Sequence, residues 1–277
     1  MTDTVAHQVS RHFAPPELRQ RVADVLAAAG KDASNTSIDE LAPLDQWHMM
    51  RDVPTRRLAE HAAVTGDQCV LDVGCGMGGP ARFLAATYGC TVTGVDITTP
   101  YLETAALLTE LTGLTDRVSF QHADATDLPF ADDMFDLVWT QHAAQSIPDK
   151  AAFFAELHRV LKRGGTAVIH DLYRGASGEI HFPAFWGRSD SISFLVTDSE
   201  MRSLLETGGF EVVEWTDTTD EVLAFNADRL ERGIPAPIPG LNISLLFGDE
   251  TMTMAANGVQ DLRDGAVGTF EAVLTGR

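Results

Sequence analysis

The chain has 277 residues, of which 44% are hydrophobic, and its 40 acidic residues against 20 basic ones give a formal net charge of −20. This length and hydrophobic content suit one large α/β domain with an accessory cap. A strongly acidic surface repels phosphate backbones, which argues against nucleic acid as a substrate or partner.

Cysteine usage, hydropathy and histidine spacing indicate where the protein is located and whether it has a membrane partner or a metal site. The three cysteines show no pairing pattern, which predicts reduced thiols and a cytoplasmic location. No apolar run approaches the length of a membrane span, so we expect no membrane partner. The nine histidines are scattered, without a His-x-x-x-His pair or a close Cys/His cluster, so we expect no metal site.

The N-terminal segment, residues 1–63, is predicted to be a helical cap. Pro16–Ala29 places its apolar residues on one helical face, and Asp52–Ala63 is predicted to be a second helix. Between the two helices, Trp47 stands beside polar side chains. It is either part of the core under the first helix or a contact for a ligand.

A glycine-rich loop follows the first predicted strand of the core. Val70–Val73 is a short apolar run that suits a buried parallel strand, and Pro80–Tyr88 is predicted to be the next helix. Between them, Gly74, Gly76 and Gly78 let the backbone turn tightly and approach a ligand closely. The free N–H groups at the start of the helix would face that ligand.

Asp96 ends the second predicted strand, Thr91–Val95. A carboxylate in this place can accept hydrogen bonds from both hydroxyls of a ribose, so the loop and Asp96 together predict an adenosine-containing cofactor. The Gly-x-Gly-x-x-Gly spacing of the loop also fits a dinucleotide. Asp72 argues against that reading, because a carboxylate repels a pyrophosphate. It favours a cationic ligand such as S-adenosylmethionine.

Strands and helices alternate along the rest of the core, which predicts an α/β fold with a doubly wound, mostly parallel, Rossmann-like sheet. Seven strands are predicted: Val70–Val73, Thr91–Val95, Val118–His122, Phe135–Thr140, Thr166–Asp171, Phe210–Trp215 and Gly268–Leu274. The predicted core helices are Pro80–Tyr88, Pro100–Thr112, Asp149–Leu161, and one that starts at the capping box Thr197-Asp198-Ser199-Glu200.

Two segments interrupt this alternation, Tyr173–Val196 and Asp220–Asp264. Long insertions in a compact domain usually carry function or are disordered, and the aromatic side chains of the first segment argue against disorder. With the N-terminal helix they are predicted to form a lid. The expected domains are a cap at 1–63, a cofactor-binding core at 64–217, and a cap insertion with the last core strand at 218–277.

The motif from Asp72 to Gly78 resembles that of the class I S-adenosylmethionine-dependent methyltransferases, whose pattern is Asp-x-Gly-x-Gly-x-Gly. Blocks at 120–125, 128–139 and 156–165 resemble later strands and turns of the same family. The resemblance covers about residues 68–172 most specifically. It is strongest to small-molecule enzymes: sarcosine/dimethylglycine, sugar O- and quinone C-methyltransferases.

This resemblance implies S-adenosylmethionine as the cofactor and a set of residues around it. It assigns the adenine contact to the Asp124-Ala125 step and places the end of the fourth strand near the methionine part. It also matches Asp45-Gln46-Trp47-His48 to a block whose aromatic residue packs over the cofactor. The predicted cofactor-binding residues are Trp47, Asp72, Gly74, Gly76, Gly78, Asp96, Ile97, Asp124, Ala125 and Gln141.

Two residues are predicted to be catalytic. Methyl transfer is a displacement at an activated sulfonium, so the protein has mainly to align the nucleophile, exclude water and, where necessary, accept a proton. His142, just past the fourth strand, is either that base or a partner of a loop carbonyl. Asp171 ends the fifth strand and either orients a histidine, binds an amine or caps a loop. Gln145 is a further candidate for acceptor binding.

The predicted function is methyl transfer from S-adenosylmethionine to an amine or hydroxyl of a small metabolite or natural-product intermediate, by a monomer or homodimer. Three alternatives stay open at this point. They are carbon methylation of a small apolar acceptor, a non-catalytic scaffold that only binds the cofactor, and an NAD-dependent oxidoreductase.

Overall fold

Seven strands form one sheet in the computed structural model of the chain, which describes residues 5–232 and 237–277. Residues 1–4 and 233–236, which belong to the two predicted cap segments, lie outside the described residues. The strands are β1 (Cys69–Val73), β2 (Thr91–Asp96), β3 (Val118–His122), β4 (Phe135–Gln141), β5 (Leu161–Arg174), β6 (Phe210–Asp217) and β7 (Val267–Gly276).

The sheet has the order β3-β2-β1-β4-β5-β7-β6. β1 pairs in parallel with β2 on one side and with β4 on the other, so the order reverses at this point. β7 pairs antiparallel with β5 and β6, and the other pairs are parallel, which confirms the predicted mostly parallel sheet. In sheets of this kind the crevice outside the carboxyl ends of the strands at the reversal is where ligands bind.

Four of the described helices belong to the core. In folds of this kind, helices cover both faces of the sheet. They are α5 (Gly79–Tyr88), α6 (Thr99–Leu111), α7 (Lys150–Val160) and α8 (Asp198–Thr207). Asp149 caps α7 by accepting the N–H of Ala152 at 2.9 Å. α8 begins with the predicted capping box, in which Thr197 and Glu200 each bond the other's backbone N–H.

Seven more helices lie in the two cap segments of the described chain. They are α1 (Val5–Phe13), α2 (Leu18–Ala28), α3 (Ile38–Asp45), α4 (Val53–His61), α9 (Thr219–Arg232), α10 (Ser244–Phe247) and α11 (Thr251–Arg263). The last three lie at residues 219–263, in the segment that was predicted to interrupt the alternation and to form part of a lid. α9 and α11 pack together because Val222 and Leu262 are buried with Met50 from the N-terminal cap.

β5 is longer than the predicted strand Thr166–Asp171. Its far end pairs with β7, where Leu172 lies opposite Thr269 and Arg174 lies opposite Val267. Its near end starts at Leu161, and the pairing with β4 shifts register there. Pairing with β7, which is distant in sequence, therefore extends the far end of β5.

The three predicted lid segments meet in an aromatic cap cluster, formed by Phe13, Trp47, Phe185 and Phe247. Trp47 lies 5.4 Å from Phe247 and 6.1 Å from Phe13 and Phe185, measured between ring centroids. Phe13 also lies 6.4 Å from Tyr101 of α6. The aromatic cap cluster therefore joins the N-terminal and C-terminal cap segments to the core. The domain boundaries at 63 and 217 stay predictions.

Candidate active site

The loop between β1 and α5 is shaped by three glycines with left-handed backbone. Gly74, Gly76 and Gly78 have φ values of 75°, 53° and 77°, a conformation that other L-residues rarely adopt. A Cβ on Gly74 would lie 2.5 Å from the Cβ of Ala143, and one on Gly78 would lie 2.5 Å from the ring of Phe120. Protein packing therefore requires glycine at 74 and 78, and it brings the loop after β4 against the loop after β1.

Gly76 is different, because its surroundings leave room. A Cβ placed there would have Tyr101 as its nearest neighbour at 3.9 Å. The backbone N–H of Gly76 donates to Asp96 Oδ2 at 2.9 Å. Gly76 is thus the position in this loop at which a ligand can approach the backbone.

Asp96 holds the loops at the carboxyl end of β2. Its Oδ1 accepts the N–H of Thr98 at 2.8 Å, while Oδ2 accepts that of Gly76. Each carboxylate oxygen has a second lone pair with which to bind a ligand hydroxyl. The carbonyl of Ile97 lies 3.0 Å from His122 Nε2 at the end of β3.

The structure brings Asp124 and Ala125 to the same edge of the sheet. The N–H of Ala123 donates to the carbonyl of Asp96 at 3.2 Å, so the Asp124-Ala125 step starts beside the end of β2. Asp124 is exposed and accepts from the backbone N–H and the hydroxyl of Thr126. This step therefore lies at the same sheet edge as Asp96, and its contact with an adenine stays a prediction.

Asp72 is a buried acid at the centre of the sheet, 2% exposed. Its Oδ2 has no hydrogen-bond partner among the residues that the structure describes. Burial, followed by the charge of Asp96, raises the pKa of Asp72 to about 8. An unpaired buried carboxyl costs free energy unless a cation or a donor reaches it. The carboxyl of Asp72 is therefore suited to the positively charged part of a ligand.

Three histidines meet at the carboxyl end of β4, where His170 of β5 pairs in register with Gln141. The ring centroids of His142 and His170 are 4.6 Å apart, and those of His48 lie 5.8 and 6.4 Å from the other two. His48 Nδ1, His142 Nε2 and His170 Nε2 are buried without a hydrogen-bond partner within residues 5–232 and 237–277. We call these three atoms the open nitrogens.

All three rings are neutral near pH 7. Burial lowers the pKa of His48 to about 4 and that of His142 to about 3, with the charge of His48 adding to the effect on His142. Burial also lowers the pKa of His170 well below its usual value. Neutral imidazoles each have one donor and one acceptor nitrogen, so the cluster can both give and accept hydrogen bonds.

His142 is held in an uncommon conformation at the end of β4. Its φ is 54°, which a non-glycine residue adopts only when its surroundings fix it. Its backbone N–H donates to the carbonyl of His170 at 2.7 Å, and its own carbonyl accepts from Gln145 Nε2 at 3.0 Å. These two bonds hold the backbone of His142 in this conformation.

The side chains of Gln141 and Asp171 are engaged within the protein. Gln141 Oε1 accepts from Trp139 and Thr55, and its Nε2 lies 3.3 Å from His170 Nδ1. Asp171 is fully buried, and its oxygens accept the backbone N–H groups of Ala144 and Leu172 at 2.8 Å. Both side chains therefore stabilise the loop after β4 through contacts within the protein.

Lys150 completes this support. Its ammonium donates to the carbonyls of Ala144 and Ile147 at 2.9 and 2.8 Å. Burial raises the pKa of Asp171 and lowers that of Lys150, and each charge opposes the shift of the other. The loop of residues 142–147 is thus fastened by both a donor and an acceptor.

Trp47 belongs to the aromatic cap cluster and is partly buried. Just before it, Asp45 forms a buried ion pair with Arg82 of α5, at 2.5 Å between Oδ2 and Nη2. Arg82 Nη2 also donates to the carbonyl of Met77 in the glycine loop at 2.7 Å. The block of residues 45–48 is thereby fixed against the loop, with His48 reaching the histidine cluster.

The sequence predicted a role for His142, while the resemblance included His48 only as part of the block at 45–48. His170 could have been placed, because parallel strands β4 and β5 end at the same edge and Gln141 pairs with His170 in register. His48 comes from the cap, and no spacing in the sequence connects it with the other two.

The described residues include no group of three or more His, Cys, Asp or Glu side chains arranged to hold a metal ion. None of the helices in the described ranges is both long enough and apolar enough to cross a membrane. All three cysteines are free.

Comparisons with known proteins agree on one family. A family described as "Methyltransferase domain" matches residues 71–169. The methyltransferase GfsG of Streptomyces halstedii is 33% identical over 215 residues, which are 76% of this chain and 74% of that protein. The chain belongs to the class I S-adenosylmethionine-dependent methyltransferases of small molecules.

One further relative and one solved structure show how far the likeness of this chain to known proteins extends. The 2-methyl-6-phytyl-1,4-hydroquinone methyltransferase of Synechocystis is 39% identical over 141 residues, but these are 51% of this chain and only 40% of that protein. The geranyl diphosphate C-methyltransferase of Streptomyces coelicolor shares the fold across 100% of this chain and 99% of its own, with a TM-score of 0.71 at 16% identity.

The glycine loop alone fits either S-adenosylmethionine or a dinucleotide such as NAD. Family membership decides in favour of S-adenosylmethionine. The chain's own geometry fits that molecule. The open carboxyl of Asp72 suits its cationic amino-acid end, Gly76 gives access to the backbone, and Asp96 has lone pairs for its ribose. The methyltransferase is therefore an enzyme with small acceptors, as the sequence predicted.

Proposed function

We propose that this methyltransferase binds its acceptor between the histidine cluster and the cap, and methylates an amine or hydroxyl there. The observation that carries the proposal is the concentration of the open nitrogens of His48, His142 and His170 at the carboxyl end of β4. Buried polar atoms are normally paired, so such a concentration marks a place where a polar ligand belongs. The contact of Gly74 with Ala143 places this group next to the cofactor loop.

On the cofactor side, S-adenosylmethionine supplies an activated methyl group when bound. We assign its amino-acid end to Asp72 and the backbone of the glycine loop. Asp96 and Ile97 at the end of β2 are assigned to the ribose, and the Asp124-Ala125 step to the adenine. Trp47 belongs to the aromatic cap cluster. We assign it to the cationic cofactor, because an aromatic face stabilises a cation.

On the acceptor side, we assign His142 as the base. Its ring is neutral at pH 7 because burial lowers its pKa to about 3, so a ring nitrogen can accept a hydrogen bond from the attacking group. A base this weak takes the proton of a hydroxyl only as the new bond to the methyl carbon makes that proton strongly acidic. The fixed backbone of His142 aims the ring, which limits the acceptor to one orientation. Gln145, at 3.0 Å from the His142 carbonyl, lines the same loop.

Two predicted roles are modified in this proposal. Gln141 was predicted to contact the cofactor, and Asp171 to take part in catalysis. Because both side chains are bonded to protein groups, we assign them positioning roles: Gln141 holds His170, and Asp171 holds the backbone of Ala144.

Transfer of an isotope-labelled methyl group tests this function. The full chain, with labelled S-adenosylmethionine and a small-molecule extract of the organism that makes it, should place label in a low-molecular-weight product. A His142→Gln variant should bind S-adenosylhomocysteine like the wild type and transfer far less label. Transfer that is undiminished in this variant would remove His142 from the mechanism.

Carbon methylation of an apolar acceptor remains the second candidate, and the solved structure named as a geranyl diphosphate C-methyltransferase is the reason to test it. The open nitrogens favour the polar acceptor, since an apolar carbon would leave all three unpaired. We further propose a cytoplasmic monomer or homodimer with a cap formed by 1–63 and by the helices of 218–277. Sedimentation and localisation experiments test these points.

A further inference from the structure

The amide of Gln141 has a fixed orientation. The indole Nε1 of Trp139 lies 2.9 Å from Gln141 Oε1, and an indole N–H can only donate. If the amide were turned around, its NH₂ group would face the N–H of Trp139, donor against donor. Hydrogen-bond partners of this kind are the basis on which amide orientations are assigned. Gln141 Nε2 therefore points away from Trp139.

This orientation fixes the proton of His170. Gln141 Nε2 lies 3.3 Å from His170 Nδ1. Because the amide nitrogen donates, Nδ1 must accept, and a neutral imidazole with an accepting Nδ1 carries its proton on Nε2. The ring is fully buried, which keeps it neutral. His170 therefore offers an N–H from Nε2, which is one of the open nitrogens.

A buried N–H of this kind selects what can bind beside it. His170 and His142 stand nearly perpendicular, at 86°, with ring centroids 4.6 Å apart, and His48 lies 5.8 Å from His142. A hydroxyl oxygen accepts the hydrogen bond of His170 and gives its own proton to a second ring. A neutral amine, the form that can attack, has one lone pair and needs it for the methyl carbon, so it cannot also accept from His170. An apolar carbon satisfies neither ring.

We propose that His170 is the oxygen-binding residue of the acceptor site, and that the acceptor is a hydroxyl compound that is converted to its methyl ether. The inference rests on the proposed function and names its substrate class. One lone pair of the oxygen accepts from His170 Nε2, and the other attacks the methyl carbon. The O–CH₃ bond forms as the S–CH₃ bond breaks, and the hydroxyl proton passes to His142. Gln141 and Trp139 are positioning residues.

The tautomer of His170 is the first test. Nitrogen-15 NMR of the full chain, labelled at histidine, distinguishes a protonated from an unprotonated ring nitrogen, and the signals that vanish in His170→Gln assign the residue. We expect the proton on Nε2 in the wild type. In Gln141→Glu a carboxylate faces Nδ1 and can only accept, so the proton should move to Nδ1. A wild-type proton on Nδ1 overturns the inference.

The methylated atom is the second test. With methyl-carbon-13 S-adenosylmethionine and the same extract, carbon-13 NMR separates methyl ethers from N-methyl and C-methyl products. A methyl ether supports the inference, and an N-methyl or C-methyl product overturns it. His170→Phe, which fills the space without a donor, should slow ether formation roughly 10- to 100-fold.

His170→Gln is the matched control, because its amide N–H lies near the position of Nε2. It should retain ether formation to within about 10-fold of the wild type. Both variants should bind S-adenosylhomocysteine with unchanged affinity, which shows that they are folded. Equal losses in both variants would assign His170 a structural role. If no small molecule is methylated at all, the proposed function fails, and the tautomer measurement still decides the state of His170.

Discussion

Asp72 shows how one residue can be unfavourable for folding and favourable for function. Its carboxyl is 2% exposed, and its Oδ2 is unpaired within the described part of the chain. Ionising it in that place is costly. A cationic ligand removes the cost, so the same burial that weakens the free protein strengthens binding of a positively charged group.

This gives a pH dependence of the free energy of unfolding. The pKa of Asp72 rises to about 8 on folding, so the folded protein holds a proton that the unfolded chain releases near pH 4. Stability from the protonated form is therefore lost as the pH rises from about 4 to about 8, by at most about 1.4 kcal/mol per pH unit. Asp72→Asn cannot ionise, so the variant should gain stability over the wild type across this window.

Urea unfolding of the cofactor-free protein at pH 5 and pH 8 measures the difference. Asp67→Asn is the matched control, because this acid is exposed at the opposite end of β1. A gap between Asp72→Asn and the wild type that stays the same at both pH values would contradict the shifted pKa. Saturating S-adenosylmethionine should reduce the advantage of the variant.

His142 makes a kinetic prediction at the same scale. Burial lowers its pKa to about 3, so the neutral form, which can accept a proton, persists well below pH 6.5. We expect kcat/KM to show no acid limb with a pKa near 6.5, and His142→Gln to lower kcat by about 10²- to 10⁴-fold, the usual contribution of a general base. A pH–rate profile from pH 5 to pH 8 checks the first point.

His158→Gln serves as the control for that substitution, since His158 packs against Phe210 away from the cluster. It should leave both kcat and the profile unchanged. An acid limb near pH 6.5 in the wild type that disappears in His142→Gln would show that the ring titrates normally and that burial does not control it.

Among the elements, those with their own local signals were predictable. β1, β3 and α8 follow from an apolar run, an alternating run and a capping box, and each lies within a residue or two of its predicted place. β5 was predicted too short, because its far end extends by pairing with β7, about a hundred residues later, and its near end pairs with β4. α9 and α11 were missed, because their apolar faces are matched to Met50 rather than to neighbours in sequence.

The site divides in the same way. The residues of the glycine loop and Asp96 follow one another closely along βαβ units, so their proximity follows from the fold class. The meeting of His48 with His142 depends on how the cap packs, which no periodicity reports. The bonding of Gln141 to Trp139, two residues earlier, was not predicted either, because residue spacing does not give the direction of an amide.

The segment Tyr173–Val196 is fastened to α11 through a histidine. His181 Nδ1 lies 2.6 Å from Asp261 Oδ1, and its backbone N–H donates to the same oxygen at 3.0 Å. The bond to Asp261 raises the pKa of His181 above 6.5. The charged form therefore strengthens attachment at low pH, and that contribution is lost as the pH rises through the raised pKa.

We therefore expect this segment to exchange its amide hydrogens faster at pH 8.5 than at pH 6, after correction for intrinsic rates. His181→Ala should exchange rapidly at both pH values. Gln260→Ala, on the same helix and bonded only to Asp264, is the control and should behave like the wild type. Protection that is independent of pH in the wild type would rule out the charged pair as the fastening.

At the scale of the whole molecule, cap and core are joined by a charge that is fully buried. Arg82 has no exposed surface, and its guanidinium bonds Asp45 of the cap, Met77 of the glycine loop and Ala105 of α6. Burial raises the pKa of Asp45, against the opposing charge of Arg82. One side chain thus connects the cap, the cofactor loop and a core helix.

Such a connection predicts that cap and core unfold together. Removing one partner of a buried ion pair leaves an uncompensated charge, so Asp45→Asn and Arg82→Met should each cost about 3–5 kcal/mol. The double substitution Asp45→Leu with Arg82→Met should cost less than the sum of the two, because it leaves no charge behind.

Urea unfolding measures all three, with Trp47 reporting on the cap and Trp139 on the core in single-tryptophan variants. Coincident transitions for the two tryptophans in the wild type indicate one cooperative unit. If Trp47 reported unfolding at lower urea than Trp139 in the wild type, where the pair is intact, the cap would be a separate unit that Arg82 does not hold.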